Sequence, residues 1–574
     1  MQYRDRFEAW LSYLGLDQAS REELQALTDE KEIEDRFYTE LEFGTAGLRG
    51  VIGAGLNRMN VYVVRRATQG FANYICSLGQ ACVSRGIAIA YDSRNHSAEF
   101  AKEAALVLCA NGIPVYLYES LRSVPQLSFT ILTLNCIAGI VITASHNPPQ
   151  YNGYKVYGEN GGQLPPGPSE QVTQAITALS MFEAKTMSEQ EALNKGLLRY
   201  IGEELDAQYD ACVRSVCLQP DILKTADIKV VYTPLHGAGC LPIKRALFGL
   251  GFQYLYTVKE QEVPDGNFPT IKVPNPEDGN AYALAFALAK KVGATMVLAT
   301  DPDSDRLGVA VADSEGGFQL LTGNQIGCLL LEYILSQRSR NKTLPPHGFI
   351  VKSIVSTSLV DVIATAYGVE TDDVLTGFRY ISDKIYESLQ DGTRQFLFGF
   401  EESYGFLNHT QGRDKDGISA AVMLVEIAAF YAKTGKTLIH ALEDIYRRYG
   451  YYDEAVLSYS LAGKEGLEKI QATMARLREN PPARWGNLSV RAVRDYQTGM
   501  RRDKAGKETP IPLPASNVLY YELENSNWLA IRPSGTEPKL KAYIAIRGNT
   551  RWDTQKLLGD MEAAVRIRLD EYLK

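Results

Sequence analysis

Among the residues of this chain that could do chemistry, the most telling stand in Thr143-Ala144-Ser145-His146-Asn147-Pro148-Pro149, after the apolar run 137–142. The segment continues into Tyr151-Asn152-Gly153-Tyr154-Lys155. It sets one hydroxyl beside an imidazole at the end of an expected strand, where open α/β sheets carry their ligands. Two prolines that can extend neither ladder nor helix favour a loop with its polar groups held in place. Read alone, Ser-His-Asn-Pro is equally a polar turn.

A second stretch, Asp301-Pro302-Asp303-Ser304-Asp305-Arg306, lies between the apolar runs 295–300 and 307–311. Three carboxylates at alternate positions of a strand-to-strand loop repel one another unless a cation joins them. An EF-hand would require glycine and glutamate where this chain has Arg306 and Ala312. Mg²⁺, which takes few protein oxygens and completes its shell with phosphate or water, fits better. A third stretch, Arg532-Pro533-Ser534-Gly535-Thr536-Glu537-Pro538-Lys539, combines an arginine fork, two hydroxyls, a glycine and an ammonium suited to a phosphate. Gly44-Thr45-Ala46-Gly47-Leu48-Arg49-Gly50 offers a similar combination. Gly399-Phe400-Glu401-Glu402-Ser403-Tyr404-Gly405 presents groups suited to sugar hydroxyls, or else a capped helix start. Asp414-Lys415-Asp416-Gly417 and Gly377-Phe378-Arg379-Tyr380 add cations in loops.

Competing chemistries are disfavoured by the letters. No G-x-S-x-G elbow is present. Gly435-Lys436-Thr437 lacks the first glycine of a phosphate-binding P-loop, since Phe430 stands there, and Gly53-Ala54-Gly55-Leu56-Asn57 ends on Arg58 where a dinucleotide fingerprint needs a small residue. A net charge of -8 argues against a nucleic-acid partner but leaves room for a small anionic substrate held by local arginines and lysines. The charged start and the interruption of 420–430 by Glu426 leave neither a signal peptide nor a membrane span, so a cytoplasmic location is expected. Eight cysteines without a C-x-x-C pair read as small core residues in a reducing compartment.

The elements that must position these groups alternate in type. After a charged helical leader, apolar runs at 86–91, 113–118 and 137–142 alternate with helix-length amphipathic segments, and the rhythm recurs from 228 to 311 and from 325 to 400. The end of the chain differs, with strands expected at 518–524, 528–532 and 541–547 before a helix from Asp553. The expected architecture is therefore α/β: three similar domains with mixed sheets, 1–205, 206–318 and 319–452, and a smaller C-terminal α+β domain, 453–574.

In content and order these motifs resemble those of the α-D-phosphohexomutase superfamily, the phosphoglucomutases and phosphomannomutases, from about Phe43 to Leu569. The resemblance implies four domains around a central cleft, a phosphoryl group carried on Ser145, and Mg²⁺ held by its phosphate and by Asp301, Asp303 and Asp305. Arg306 would lie beside them. Arg49 and Lys155 match positions near the phosphoserine, with His146 the adjacent imidazole; either Lys155 or His146 would serve as base. Glu401 and Ser403 would bind ring hydroxyls, Arg379 and Lys415 would fix the sugar, and His236 would lie near substrate. Arg532, Ser534, Gly535 and Thr536 would grip the phosphate that is not reacting. The implied reaction exchanges glucose 1-phosphate and glucose 6-phosphate, with glucose 1,6-bisphosphate as intermediate and activator, in a monomer or homodimer. Phe400 before Glu401, and Pro302 and Ser304 in the metal loop, depart from the commoner glycines and bear on sugar choice. A pentose or mannose phosphate is the alternative substrate; a sugar-phosphate-binding regulator or a metal-dependent sugar phosphatase is the alternative class.

Overall fold

The structure, a computed structural model, describes residues 2–44, 47–461, 463–534 and 539–574. It divides into two compact units, Met1–Ile326 with Ile381–Thr437, and Gly327–Tyr380 with Leu438–Lys574.

The first unit holds two mixed sheets. One runs in the order Leu48–Val51, Tyr151–Gly158, Ala138–Ile142, Ile87–Tyr91, Val115–Tyr118, Leu198–Ile201. The last four strands are parallel, and Tyr151–Gly158 turns back antiparallel against Ala138–Ile142. Ala138–Ile142 is buried throughout, as its unbroken apolar sequence requires of a strand covered on both faces. Each large aliphatic side chain wholly buried in this way contributes about 1.5–3 kcal/mol. The second sheet runs Phe318–Leu321, Leu307–Ala312, Met296–Thr300, Val230–Thr233, Leu255–Thr257. Its parallel core ends in the antiparallel hairpin Met296–Thr300/Leu307–Ala312, whose connection is the triple-aspartate loop. The unit also contains the antiparallel pair Gln395–Glu401/Gly405–Leu407. The segment 399–405 thus forms a tight hairpin and not the alternative capped helix. The helix Gly417–Ala432 is buried along most of its length and is capped by Asp416, which accepts from the backbone N-H groups of Ile418 and Ser419.

Three leader helices, Gln2–Ser12, Gln18–Ala26 and Glu30–Phe37, pack through an aromatic cluster of Trp10, Phe37, Tyr62 and Phe182. In the second unit Gly348–Ser353 and Glu370–Val374 pair in parallel across the helix Leu359–Ala366. An antiparallel sheet in the order Tyr451–Ser460, Lys539–Gly548, Trp528–Pro533, Leu519–Leu523, Leu488–Asp495, Met500–Asp503, Glu508–Pro510 makes up the rest, with the helices Gly463–Glu479 and Arg551–Tyr572. Trp485, Leu477, Leu529 and Val565 belong to its core. Among the described residues no helix is long and apolar enough to cross a membrane.

Candidate active site

Ser145 stands three residues beyond the buried strand Ala138–Ile142, with φ of 51°. A side chain in this left-handed region is strained and persists only where the surroundings enforce it. The enforcement is visible. The Ser145 N-H donates to Thr143 Oγ1 (2.8 Å), whose own hydroxyl donates to Asp92 Oδ2 (2.6 Å). Arg94, fully buried, donates to the carbonyls of Ser145, Asn147, Pro148 and Tyr151, so one guanidinium holds the whole turn. Its Nε lies 3.4 Å from Asp92, and the same aspartate accepts from Ser97.

Ser145 Oγ donates to Asp301 Oδ2 at 2.7 Å and lies 3.3 Å from His146 Nδ1. Asp301, Asp303 and Asp305 are all buried and present oxygens within 4.8 Å of one another. Lys155, on the strand Tyr151–Gly158 and not in the preceding loop, reaches Asp303 Oδ2 at 2.9 Å and lies 3.8 Å from Asp305 Oδ2. Lys415 lies 3.1 Å from Asp305 Oδ2 and 2.9 Å from Asp414 Oδ1. Arg306 donates its backbone N-H to Asp301 Oδ1 and pairs with Glu277 through its side chain. Two oxygens, Asp303 Oδ1 and Asp305 Oδ1, are buried without a hydrogen-bond partner among the described residues. A buried carboxylate oxygen left so is costly, and a hard divalent cation is the partner that all-oxygen donors suit.

The electrostatics agree. Burial, then the neighbouring Asp303 and Asp305, push the Asp301 carboxyl well above the ordinary range. Burial works the same way at Asp303, but Lys155, a hydrogen bond with Asp301 and the charge of Lys415 together outweigh it and hold the group below that range. Burial, then Arg306 and Arg49, push the His146 imidazole well down, leaving it neutral near pH 7.

Of the other expected residues, Arg49 donates to the Asn147 side chain at 3.2 Å, and Gly47 before it has φ of 86° with no room for a Cβ against Tyr154. Glu401 is buried at the end of its strand, Ser403 lies in the hairpin turn, and the stem of Lys415 packs where a side chain on Gly405 would stand. His236 is buried with both nitrogens engaged: Nδ1 donates to the Val263 carbonyl (3.0 Å) and Nε2 lies 2.9 Å from Thr270 Oγ1. It braces its loop, with the Ala238 N-H donating to the Pro302 carbonyl behind the aspartates. Arg379 and Arg532 belong to the second unit, where Arg379 stacks on Tyr380 and Arg532 donates to Thr376. Ser534 donates its N-H to the Lys539 carbonyl (2.7 Å), and Gly535 and Thr536 lie outside the described residues. Thr143 stands in the serine motif itself, whereas Asp92 and Arg94 lie outside every motif singled out; Tyr91-Asp92-Ser93-Arg94 at a strand end is the signal that marks them.

Comparison with known proteins accords with this geometry. Residues 40–182, 208–316 and 322–449 match the α/β/α domains I, II and III of phosphoglucomutase/phosphomannomutase. A phosphoglucomutase of Staphylococcus saprophyticus is 37% identical over 508 residues, 88% of this chain and 90% of the relative. That of Staphylococcus haemolyticus is 39% identical over 515 residues, 89% and 91%. The fold is also that of parafusin, a phosphoglucomutase of Paramecium, in its open form, with a TM-score of 0.67 at 17% identity over 93% of this chain and 95% of that one. The chain belongs to the phosphoglucomutase/phosphomannomutase family, within the α-D-phosphohexomutase superfamily, and its activity is that of an isomerase of the phosphoglucomutase type.

Proposed function

We propose that the chain interconverts glucose 1-phosphate and glucose 6-phosphate in the cytoplasm, with Ser145 as phosphoryl carrier and Mg²⁺ at Asp301, Asp303 and Asp305. The observation that carries this reading is Ser145 Oγ at 2.7 Å from one aspartate of a buried triad that keeps two oxygens unpartnered among the described residues. Mg²⁺ bound there supplies positive charge against the phosphoryl oxygens as charge shifts during transfer.

The chain's own residues account for the rest. Phosphoserine 145 gives its phosphoryl group to the free hydroxyl of the sugar monophosphate, and that hydroxyl's proton passes to a base. The bisphosphate turns over, and its other phosphate returns to the serine. His146 stands at the serine, whereas Lys155 is held at Asp303, so the two candidate bases differ in position. Arg306 and Lys415 add cationic charge around the transfer. Glu401, Ser403 and Arg379 would bind the sugar, and Arg532, Ser534, Gly535 and Thr536 the phosphate at rest. In this reading the domains are 1–205, 206–318, 319–452 and 453–574, each carrying one motif.

The test is intact-mass measurement with and without phosphatase, alongside turnover of glucose, mannose and ribose 1-phosphates. The expected result is one phosphate lost from the wild type, none on Ser145→Ala, loss of turnover in that variant, and the highest kcat/KM for glucose 1-phosphate. Full activity of Ser145→Ala with the bisphosphate present would sink the phosphoserine reading.

A further inference from the structure

The segment 264–278, Pro-Asp-Gly-Asn-Phe-Pro-Thr-Ile-Lys-Val-Pro-Asn-Pro-Glu-Asp, has no role in the reaction as derived above, yet it touches both halves of the site. At its start it makes three contacts with the support of the Ser145 turn. Gly266 packs on the Arg94–Asn95 backbone so closely that a Cβ would overlap the Asn95 nitrogen. The Asn267 side chain accepts from Asn95 Nδ2 at 2.9 Å. The ring of Phe268 lies beneath the Arg94 guanidinium, 5.1 Å from centroid to carbon.

Phe268 is 1% exposed and has φ of 47°, so its backbone pays a conformational penalty to hold the ring there. The strain is held by neighbours. Gln261 donates to Thr270 Oγ1 (2.9 Å), Thr270 to His236 Nε2, and His236 Nδ1 to the Val263 carbonyl. These bonds close a ring across the two ends of the turn that carries Phe268. At its far end the segment reaches the metal loop: Glu277 pairs with Arg306, whose N-H binds Asp301, and the Pro276 carbonyl accepts from Tyr282 and abuts Gly308.

We propose that segment 264–278 is a positioning strap that sets the register of Ser145 against Asp301, with Phe268 acting through Arg94 and Glu277 through Arg306. The inference rests on Ser145 as phosphoryl carrier. Arg94 grips four carbonyls of the serine turn, and an arginine has many rotamers; the aromatic face, attractive to a desolvated guanidinium, selects the one that reaches all four. Without the ring, Asp92 still pairs with Arg94, but the guanidinium plane is free to tilt. The serine then sits in the correct loop at the wrong angle, a fault felt in transfer and not in substrate binding.

The experiment compares wild type, Phe268→Leu, Arg94→Lys and the double variant by single-turnover transfer from the Ser145 phosphoenzyme to glucose 1-phosphate, and by steady-state kcat and KM with Mg²⁺ saturating. The expected result is a loss of about 100-fold in transfer rate and kcat for each single variant at unchanged KM. The double variant is expected to be no slower than Arg94→Lys, since both act through one guanidinium. An unimpaired transfer rate in Phe268→Leu, a loss confined to KM, or losses that multiply in the double variant would overturn the strap. If Phe268→Leu does not fold, Phe268→Met is read in the same way. Wild-type protein that takes no phosphate on Ser145 even after incubation with glucose 1,6-bisphosphate would overturn the phosphoserine reading and the strap with it, whereas phosphorylated wild type with an unimpaired variant overturns the strap alone.

Discussion

Asp303 and Asp305 each give one oxygen to a lysine and leave the other unpartnered among the described residues, which separates the structural from the ligating half of each carboxylate. Asp305→Asn removes a ligand charge while Lys415 keeps Asp414 as its partner, so the loop is expected to stay folded. Calorimetric titration with Mg²⁺ should show affinity reduced by at least about tenfold, the lower bound set by what even outer partners of a metal ligand contribute. Unchanged affinity would place the cation elsewhere. Ser145 and the three aspartates were legible in the sequence because each motif is short and its spacing alone brings the groups together. Asp92, Arg94 and Phe268 were not, because their meaning lies in partners 51 and 174 residues away: Arg94 with Ser145, and Phe268 with Arg94. His236 was legible as a loop residue, but its two internal hydrogen bonds were not.

Among the elements, the parallel strands were readable as apolar runs, whereas Tyr151–Gly158 was hidden by its asparagine, glycine and lysine. The outer strands Leu488–Asp495 and Met500–Asp503 were hidden by charges at Arg491, Arg494, Arg501 and Arg502, which suit a solvated sheet face and weaken the apolar alternation. The leader helices were legible as helices, but not their docking, which depends on aromatic residues drawn from distant segments. Trp10 is 2% exposed, with ring centroids of Phe37, Tyr62 and Phe182 at 5.8, 5.6 and 5.4 Å. Trp10→Ala should cost about 3–5 kcal/mol. Denaturant unfolding should show that loss, and limited proteolysis should cut the leader first. The kcat of the folded protein should hold, since the groups that hold Ser145, namely Thr143, Asp301 and Arg94, all lie outside the leader. Resistance of the leader to protease in this variant would mean that other contacts carry the docking.

For the whole molecule, a net charge of -8 says little about stability; what counts is where protons bind differently in the folded and unfolded chain. His409 is such a site. Its Nε2 lies 2.9 Å from Asp416 Oδ2, its Nδ1 lies 3.8 Å from Cys212 Sγ, and Tyr209 donates to the same carboxylate from the helix Glu203–Ser215. Burial disfavours the charged ring, but Cys212 and Asp416 outweigh it and raise the imidazole from 6.5 to about 10. The folded chain therefore binds this proton more tightly than the unfolded one. The stability it contributes is fully present below pH 6.5 and is lost as pH rises through about 10. Because Asp416 also caps the helix Gly417–Ala432, the same proton steadies the loop that carries Lys415. His409→Gln should lower the unfolding free energy at pH 6, read from urea unfolding, by about a few kcal/mol, a difference that shrinks towards pH 10 as the wild type loses its proton. A gap between the two proteins that stays constant from pH 6 to 10 would show that His409 contributes packing alone, and an imidazole found neutral by NMR at pH 8 would locate the tight proton elsewhere in the Tyr209, Asp416 and Cys212 cluster.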